Sequence, residues 1–446
     1  MYEFDAPAVY AHESVIADAR CRVRMEKVIS ALTHPREPKV FTDENILSLI
    51  GQDKFFSGCN RAMGTLEQIP DPVIVFNKFK FSDIAREQLK PLKEKLLKIT
   101  DAQRALALTG DGAFDWACYN LPEDPDRNDK VCRPCWRIHF QAGCLHKCHY
   151  CGFGGVLITM TNAEDYILQL GRLMQAHPWQ ETFLLEDDAD VLCLEPELDC
   201  TGPIIEFFGT LKDRYLILHT KSWNTDWMYG LKHNGKTIIV WSIAGPAQSR
   251  DIEPKTGLTE QRIEAARKCQ DAGYTVRYKF KPIIPVEGWR EEASGTIEQV
   301  FKKTKPDVIS LCCFMWMGID DLKKKLAKHR MDPVFIKAAE DAREETKNTT
   351  SKPFPEWVRA EIYEYYLNEI RKYNREIPVS LSTETWSMWS RIGKKFGFTA
   401  TNYVCGCGPN SIPNRKILLA HPYTQAKRNG SWIKLRSVHD LQKTKA

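Results

Sequence analysis

Apolar positions along this chain follow two rhythms, and the change between them divides it into three parts. Up to about residue 130 they recur mostly every three to four positions, as on one face of a helix. Helices are expected over 14–32 and 81–99, the second carrying Ile84, Leu89, Leu92, Leu96 and Leu97. Between them, Ile69-Pro70-Asp71-Pro72-Val73-Ile74-Val75-Phe76 reads as a turn leading into a short strand. The stretch 121–130 packs two prolines and six charges into ten residues, which predicts a loop and a boundary.

From residue 131 short apolar runs alternate with amphipathic ones. Strands are expected over 136–141, 182–185, 215–219, 236–242, 275–282 and 308–314, with helices over 163–175, 202–211, 259–272 and 291–304 between them. That alternation implies a parallel sheet with right-handed crossovers. Beyond 320 the chain turns helical and charged (322–329, 333–345, 355–373). A strand over 379–383, a helix over 386–396 and the turn Tyr403-Val404-Cys405-Gly406-Cys407-Gly408-Pro409 follow. The expected organisation is a mostly helical region 1–130, an α/β region 131–320 and a helical or mixed region 321–446 with a C-x-C motif. The stripe Trp357, Tyr365 and Tyr366 on the 355–373 helix reads as core rather than as a platform for nucleobases.

Composition narrows the class. With 446 residues, 43% hydrophobic and 27% charged, the chain has an ordinary soluble globular balance. A net charge of +5 permits a nucleic-acid partner without arguing for one. No apolar run reaches the ~18 residues of a membrane span. Fifteen cysteines are spread irregularly, and Met1-Tyr2-Glu3-Phe4-Asp5 is no secretory leader, so a reducing cytoplasm is expected rather than a disulfide scaffold.

The chemistry concentrates in Gly143-Cys144-Leu145-His146-Lys147-Cys148-His149-Tyr150-Cys151-Gly152. Three thiolates this close can hold three irons of a [4Fe–4S] cluster and leave the fourth open to a small molecule. A zinc site is the alternative, with His146 or His149 as fourth ligand. The C-x₃-C-x₂-C spacing resembles the cluster loop of the radical S-adenosylmethionine (SAM) superfamily. That resemblance implies SAM on the open iron, Tyr150 near its adenine, and an external one-electron reductant of the flavodoxin or ferredoxin type. It also implies an open (βα)₆ partial TIM barrel with its site at the C-terminal ends of the strands, where parallel β/α sheets generally place sites.

Over about 131–320 the chain further resembles the spore photoproduct lyase group. The resemblance rests on the cysteine loop, Thr220-Lys221, Trp241-Ser242-Ile243, Glu264-Ala265-Ala266-Arg267-Lys268, Ala272-Gly273-Tyr274 and Pro282-Ile283-Ile284-Pro285-Val286-Glu287-Gly288-Trp289. It implies that Lys221 pairs with the SAM carboxylate and that Ser242 bonds to the cofactor. Glu186 or Asp188, after the second strand, could receive the SAM amino group. Asp190 and Glu195 extend that acidic cluster toward a hydroxylated or amine-bearing substrate, and Glu287 lies after the fifth strand. Two positions depart from the group's pattern. Gly152 stands where a radical-relay tyrosine is expected, and the loop Leu185-Glu186-Asp187-Asp188-Ala189 lacks the hydrogen-donating cysteine. Cys193, Cys312 or Cys313 could replace that donor, though successive strand residues point to opposite faces and only one of the last two can face inward.

Cys405 and Cys407, in a glycine-rich turn, could hold a second Fe–S cluster or zinc. Cys132 and Cys135 have ligand spacing too. A single strand from Cys135 to Cys144 would separate its ends by roughly 30 Å, which places that pair away from the loop. The expected function is a radical SAM enzyme abstracting hydrogen from a small polar metabolite, such as an amino sugar or biosynthetic intermediate. Repair or modification of a nucleobase is the alternative. A non-catalytic Fe–S or zinc protein that binds nucleic acid is a third reading.

Overall fold

The computed structural model describes residues 1–52, 71–117, 130–132, 135–326 and 329–418. Its first segment supplies β1 (Val9–His12), β2 (Lys39–Phe41), β3 (Val73–Asn77) and β4 (Phe114–Ala117). Next come β5 (Cys135–Ile138), β6 (Gln141–Ala142) and β7 (Val156–Met160). The rest are β8 (Thr182–Leu185), β9 (Tyr215–Thr220), β10 (Thr237–Ile243), β11 (Thr275–Ile283), β12 (Ile309–Cys313) and β13 (Val379–Leu381). The stretch expected as a loop at 121–129 and the basic tail beyond 418 lie outside the described residues.

The larger sheet has the order β13-β12-β11-β10-β9-β8-β5-β4. Neighbours from β5 to β13 are parallel, and only β4 runs against its neighbour. The six strands expected from the alternating pattern are therefore all present, joined by helices such as Ala163–Ala176, Thr259–Asp271 and Trp289–Lys303. Val131 donates its amide to the Glu384 carbonyl at 2.6 Å, beside a Lys130–Thr385 bridge. The sheet thus curls until the segment ahead of β5 touches the residues after β13.

The second sheet, β2-β1-β3-β7-β6, differs from expectation. The first segment is not mostly helical; its helices are interleaved with four strands. Two of the expected helices are broken for local reasons. Asp18 caps a new helix (Ala19–Ser30) by accepting the Arg20 and Cys21 amides. Pro91 cannot continue the helix Asp83–Gln88, and a new one starts at Lys90. The sheets also disregard a boundary at 130, because β4 joins the larger sheet and β7 pairs in parallel with β3. No element was expected at 152–162, although Val156-Leu157-Ile158-Thr159-Met160 after Gly154-Gly155 is a strand signal. On the helix Glu356–Tyr373, Tyr366 is core but Trp357 is exposed. No helix among the described residues is long and apolar enough to cross a membrane.

One turn links the two sheets to the cysteine loop. Gly143 has φ +98°, and a Cβ there would lie 1.9 Å from the Val156 carbonyl oxygen. Gly143→Ala is expected to lose about 2 kcal/mol or more in urea unfolding of the apoprotein. Gly295→Ala, in a helix with open space around it, is expected to gain about 0.5–1 kcal/mol. Equal effects at the two positions would contradict this account of the turn.

Candidate active site

β5 stops after four residues because its exit is captured. Glu186, the first residue after β8, is fully buried with φ 56°. Its carboxylate accepts the amides of Phe140 and, at 2.7 Å, Gln141, and lies 3.1 Å from His139 Nδ1. The chain then crosses to the other sheet as β6 and turns at Gly143 into the cysteine loop. Buried Arg104 holds the far end of the loop through the carbonyls of Phe153 (3.0 Å) and Gly154 (2.9 Å). Within the loop Cys144 N donates to Phe153 O and Cys151 N to Cys148 O. Lys147 N and His149 N bond to the carbonyls of Pro254 and Ile252.

This brings Cys144, Cys148 and Cys151 onto one short, clamped loop at the C-terminal side of the larger sheet. Burial pushes all three thiols up, Cys148 to about 12, while the Lys221 ammonium draws Cys148 and Cys151 down. Three thiolates so close together, Cys148 buried and Cys144 and Cys151 partly so, become stable together only with a metal centre to balance them. The histidines that zinc would need are committed elsewhere. His146 bonds to the Lys255 carbonyl (2.6 Å) and to Asp190 (2.9 Å), and His149 faces His329. The donor set fits a cluster with one open iron.

Lys221 does not stand alone. Its ammonium lies 2.6 Å from Glu253 and also donates to the Tyr150 hydroxyl. Glu253, fully buried, further accepts from Tyr150 (2.8 Å), Gln248 (3.0 Å) and Arg262 (2.8 Å). Burial alone would raise the Glu253 pKa, but Lys221 and Arg262 hold it at about 2. Sequence reasoning missed both Glu253 and Arg262. Tyr150 and Lys221 lie 103 and 32 positions from Glu253, so no local pattern announces it. Ser242 is half-buried on β10, and its carbonyl accepts from Arg262 at 3.0 Å.

The acidic cluster separates. Asp187 pairs with Arg137. Asp190, expected to face substrate, instead binds His146, Thr220 and the Lys221 amide. Glu195 is a helix cap, accepting the amides of Asp199, Cys200 and Thr201 at 2.7–3.1 Å. Glu186 is spent on the β5 exit. Asp188 lines a cavity of about 220 Å³ with Asp115, Arg137, His139 and Gln141. It also lies within electrostatic reach of Cys151. His139 bridges Asp115 (2.9 Å) and Glu186; burial lowers its pKa, but the two carboxylates hold it well above 6.5. Glu287 forms an exposed ion pair with Arg330.

None of the three expected donor thiols lines this cavity. Cys193 is enclosed between His146 (3.5 Å) and Ser222 (3.8 Å). Cys313 lies on the side of the helix Glu356–Tyr373, with its amide on the Tyr363 hydroxyl. Cys312 points the other way, to Thr383 and the Lys279 side of the sheet. Cys405 and Cys407 sit at the opposite end, where Thr182, the first residue of β8, bonds to Gly408 and Pro409.

Residues 132–348 match the family model of spore photoproduct lyase. The spore photoproduct lyase of Bacillus subtilis is 30% identical over 180 residues, 39% of this chain and 53% of the relative. That of a Geobacillus species is 25% identical over 221 residues, 48% and 61%. The chain spans about half to three-fifths of the length of these curated relatives. A solved spore photoproduct lyase mutant with bound AdoMet and dinucleoside spore photoproduct shares the fold. Its TM-score is 0.56 at 17% identity, covering 85% of this chain and 98% of that one. Structural likeness therefore reaches past 131–320 into the flanking regions.

The depressed pKa of Glu253 makes a pH prediction. Its contribution is fully present above the unfolded value near 4.5 and is lost as pH falls through about 2. Glu253→Gln should cost about 3–5 kcal/mol at neutral pH, since buried Arg262 and partly buried Lys221 lose their counter-charge. In urea unfolding the gap to the parent should narrow from pH 4.5 downward. A gap independent of pH would contradict the arrangement.

Proposed function

We propose that this chain, whose segment 132–348 is of the spore photoproduct lyase type, is a radical SAM enzyme acting on a nucleobase-bearing substrate. The observation that carries the reading is the clamped loop of three cysteines, set beside a partly buried lysine on the C-terminal side of a curled parallel sheet. The curled sheet is then the open (βα)₆ partial barrel of that superfamily, and an external one-electron reductant serves it in a reducing cytoplasm. When bound, a [4Fe–4S] cluster with SAM on its open iron supplies, on one-electron reduction, a 5′-deoxyadenosyl radical that abstracts hydrogen.

The chain's own residues hold and aim that pair. Cys144, Cys148 and Cys151 would carry the three closed irons. Lys221, steadied by Glu253, would orient the SAM carboxylate, and Asp188 its amino group. Tyr150, buried and pinned by Glu253, would pack near the adenine, with Ser242 at the end of β10 nearby. Burial of the loop keeps water from a reactive radical.

The acidic loop was one of the sequence's arguments for a small polar metabolite, beside the missing tyrosine and cysteine and the modest net charge. Of its five acids, Glu186, Asp187, Asp190 and Glu195 bond to groups of the chain itself, and Asp188 is the one of the five that lines the cavity. That weakens the metabolite reading, while the family match supports a nucleobase. Gly152 and the cysteine-free 185–189 loop remain, so the fate of the substrate radical need not follow the lyase pattern.

The test is anaerobic incubation of iron-loaded protein with SAM and dithionite, with and without a dinucleoside thymine photoproduct. The parent is expected to release 5′-deoxyadenosine, several-fold faster with the dinucleoside, and Cys148→Ala to release none. A loaded parent that cleaves no SAM would overturn the enzyme reading. Cleavage indifferent to the dinucleoside and to other nucleobase substrates would overturn the substrate.

A further inference from the structure

The C-x-C hairpin is built into the sheet interior from the end opposite the cysteine loop. Gly406 N donates to Ser310 Oγ at 3.0 Å. Arg277, fully buried on β11, holds the carbonyls of Gly406 (3.3 Å) and Ser411 (2.7 Å). Cys407 packs against Leu184, Ile217, Ile238 and Val240, one residue or more from each of three neighbouring strands. Cys405 and Cys407 are hydrogen-bond partners, and Cys132 lies within electrostatic reach of both. Cys135, at the start of β5, has Cys132 and Cys407 among its neighbours. β5 ends at Ile138, so no single strand joins Cys135 to Cys144. The two cysteine pairs thus lie within electrostatic reach of each other.

A cation is already in place for an anionic centre. Lys279, only 4% exposed, reaches Cys407 Sγ at 3.7 Å, and its electrostatic neighbours are Cys132, Cys312, Cys405 and Cys407. A buried ammonium needs a counter-charge, and Cys407, whose sulfur it reaches, can supply one as a thiolate. Metallated thiolates give an excess of negative charge that Lys279, with Lys281 and Arg137 also in reach of Cys132, would offset.

We propose that Cys132, Cys135, Cys405 and Cys407 hold a second iron–sulfur cluster, with Lys279 against one of its thiolates. Spacing favours a cluster over zinc. Tetrahedral zinc with bonds of about 2.3 Å would place the sulfurs about 3.8 Å apart. Among the described residues, the one group of three ligand atoms within 4.8 Å of each other is His146, Asp190 and Cys193. No three sulfurs of the four interior cysteines, nor those of Cys144, Cys148 and Cys151, lie within 4.8 Å of one another. The fixed hairpin supplies the preorganisation that a metal site needs.

The test is iron and sulfide analysis after anaerobic reconstitution. The parent should hold about eight of each, and a Cys144→Ala/Cys148→Ala/Cys151→Ala variant about four, with the resonance of a reduced cluster after dithionite. Cys405→Ser/Cys407→Ser should lose the second set. Because that variant removes thiols packed against the core, the triple variant decides: it leaves the hairpin intact. A parent with about four irons and a triple variant with none would overturn the proposal, as would zinc in place of iron in the triple variant. Iron retained there stands whether or not the parent cleaves SAM, so this test and that of the enzyme reading fail separately.

Discussion

A single carboxylate decides where the chemistry of this fold can sit. Glu186 leaves β8 in a left-handed conformation and accepts two successive amides at the exit of β5. Without that capture the first parallel strand could run on, and the cysteine loop would be carried away from its neighbours. With it, the chain passes from one sheet to the other within a few residues. β6 and β7 then frame the loop, and Arg104 fixes its far end. The strain of a non-glycine residue at positive φ, of order 1–3 kcal/mol, is repaid by charge-assisted bonds to buried amides.

The buried charges follow a common logic on both sides of the curled sheet. Near the loop, Glu253 balances Lys221 and Arg262 while leaving Lys221 beside Tyr150. At the other end, Arg277 is satisfied by carbonyls and Asp307, whereas Lys279 has thiols around it. Each buried cation thus points to the anion it must face. Glu253 plays that part near the loop; at the other end Asp307 does so for Arg277, and the Cys407 sulfur stands beside Lys279.

The alternation of strands and helices after residue 131 was legible because each strand is a short apolar run bounded by polar turns. The cysteine loop was legible because its ligands lie within eight positions. The first segment was not, since its parallel strands are completed by β7, far along the chain. Glu253 was hidden for the same reason: its partners are joined by the fold, not by spacing. The acids of the 186–195 region looked like a substrate site because sequence shows charge and conceals partners. The fold hands Glu195 to a helix end and Asp190 to His146. Cys312 and Cys313 kept the one property that strand geometry guarantees, opposite faces.

The most direct test of the central claim is electron–nuclear double resonance on the reduced protein, with SAM labelled at its amino nitrogen and carboxylate oxygens. Coordination at the open iron held by Cys144, Cys148 and Cys151 predicts hyperfine coupling from both labels in the parent and in Cys405→Ser/Cys407→Ser, and none in Cys148→Ala. A reduced, fully loaded parent without coupling from either label would contradict the account.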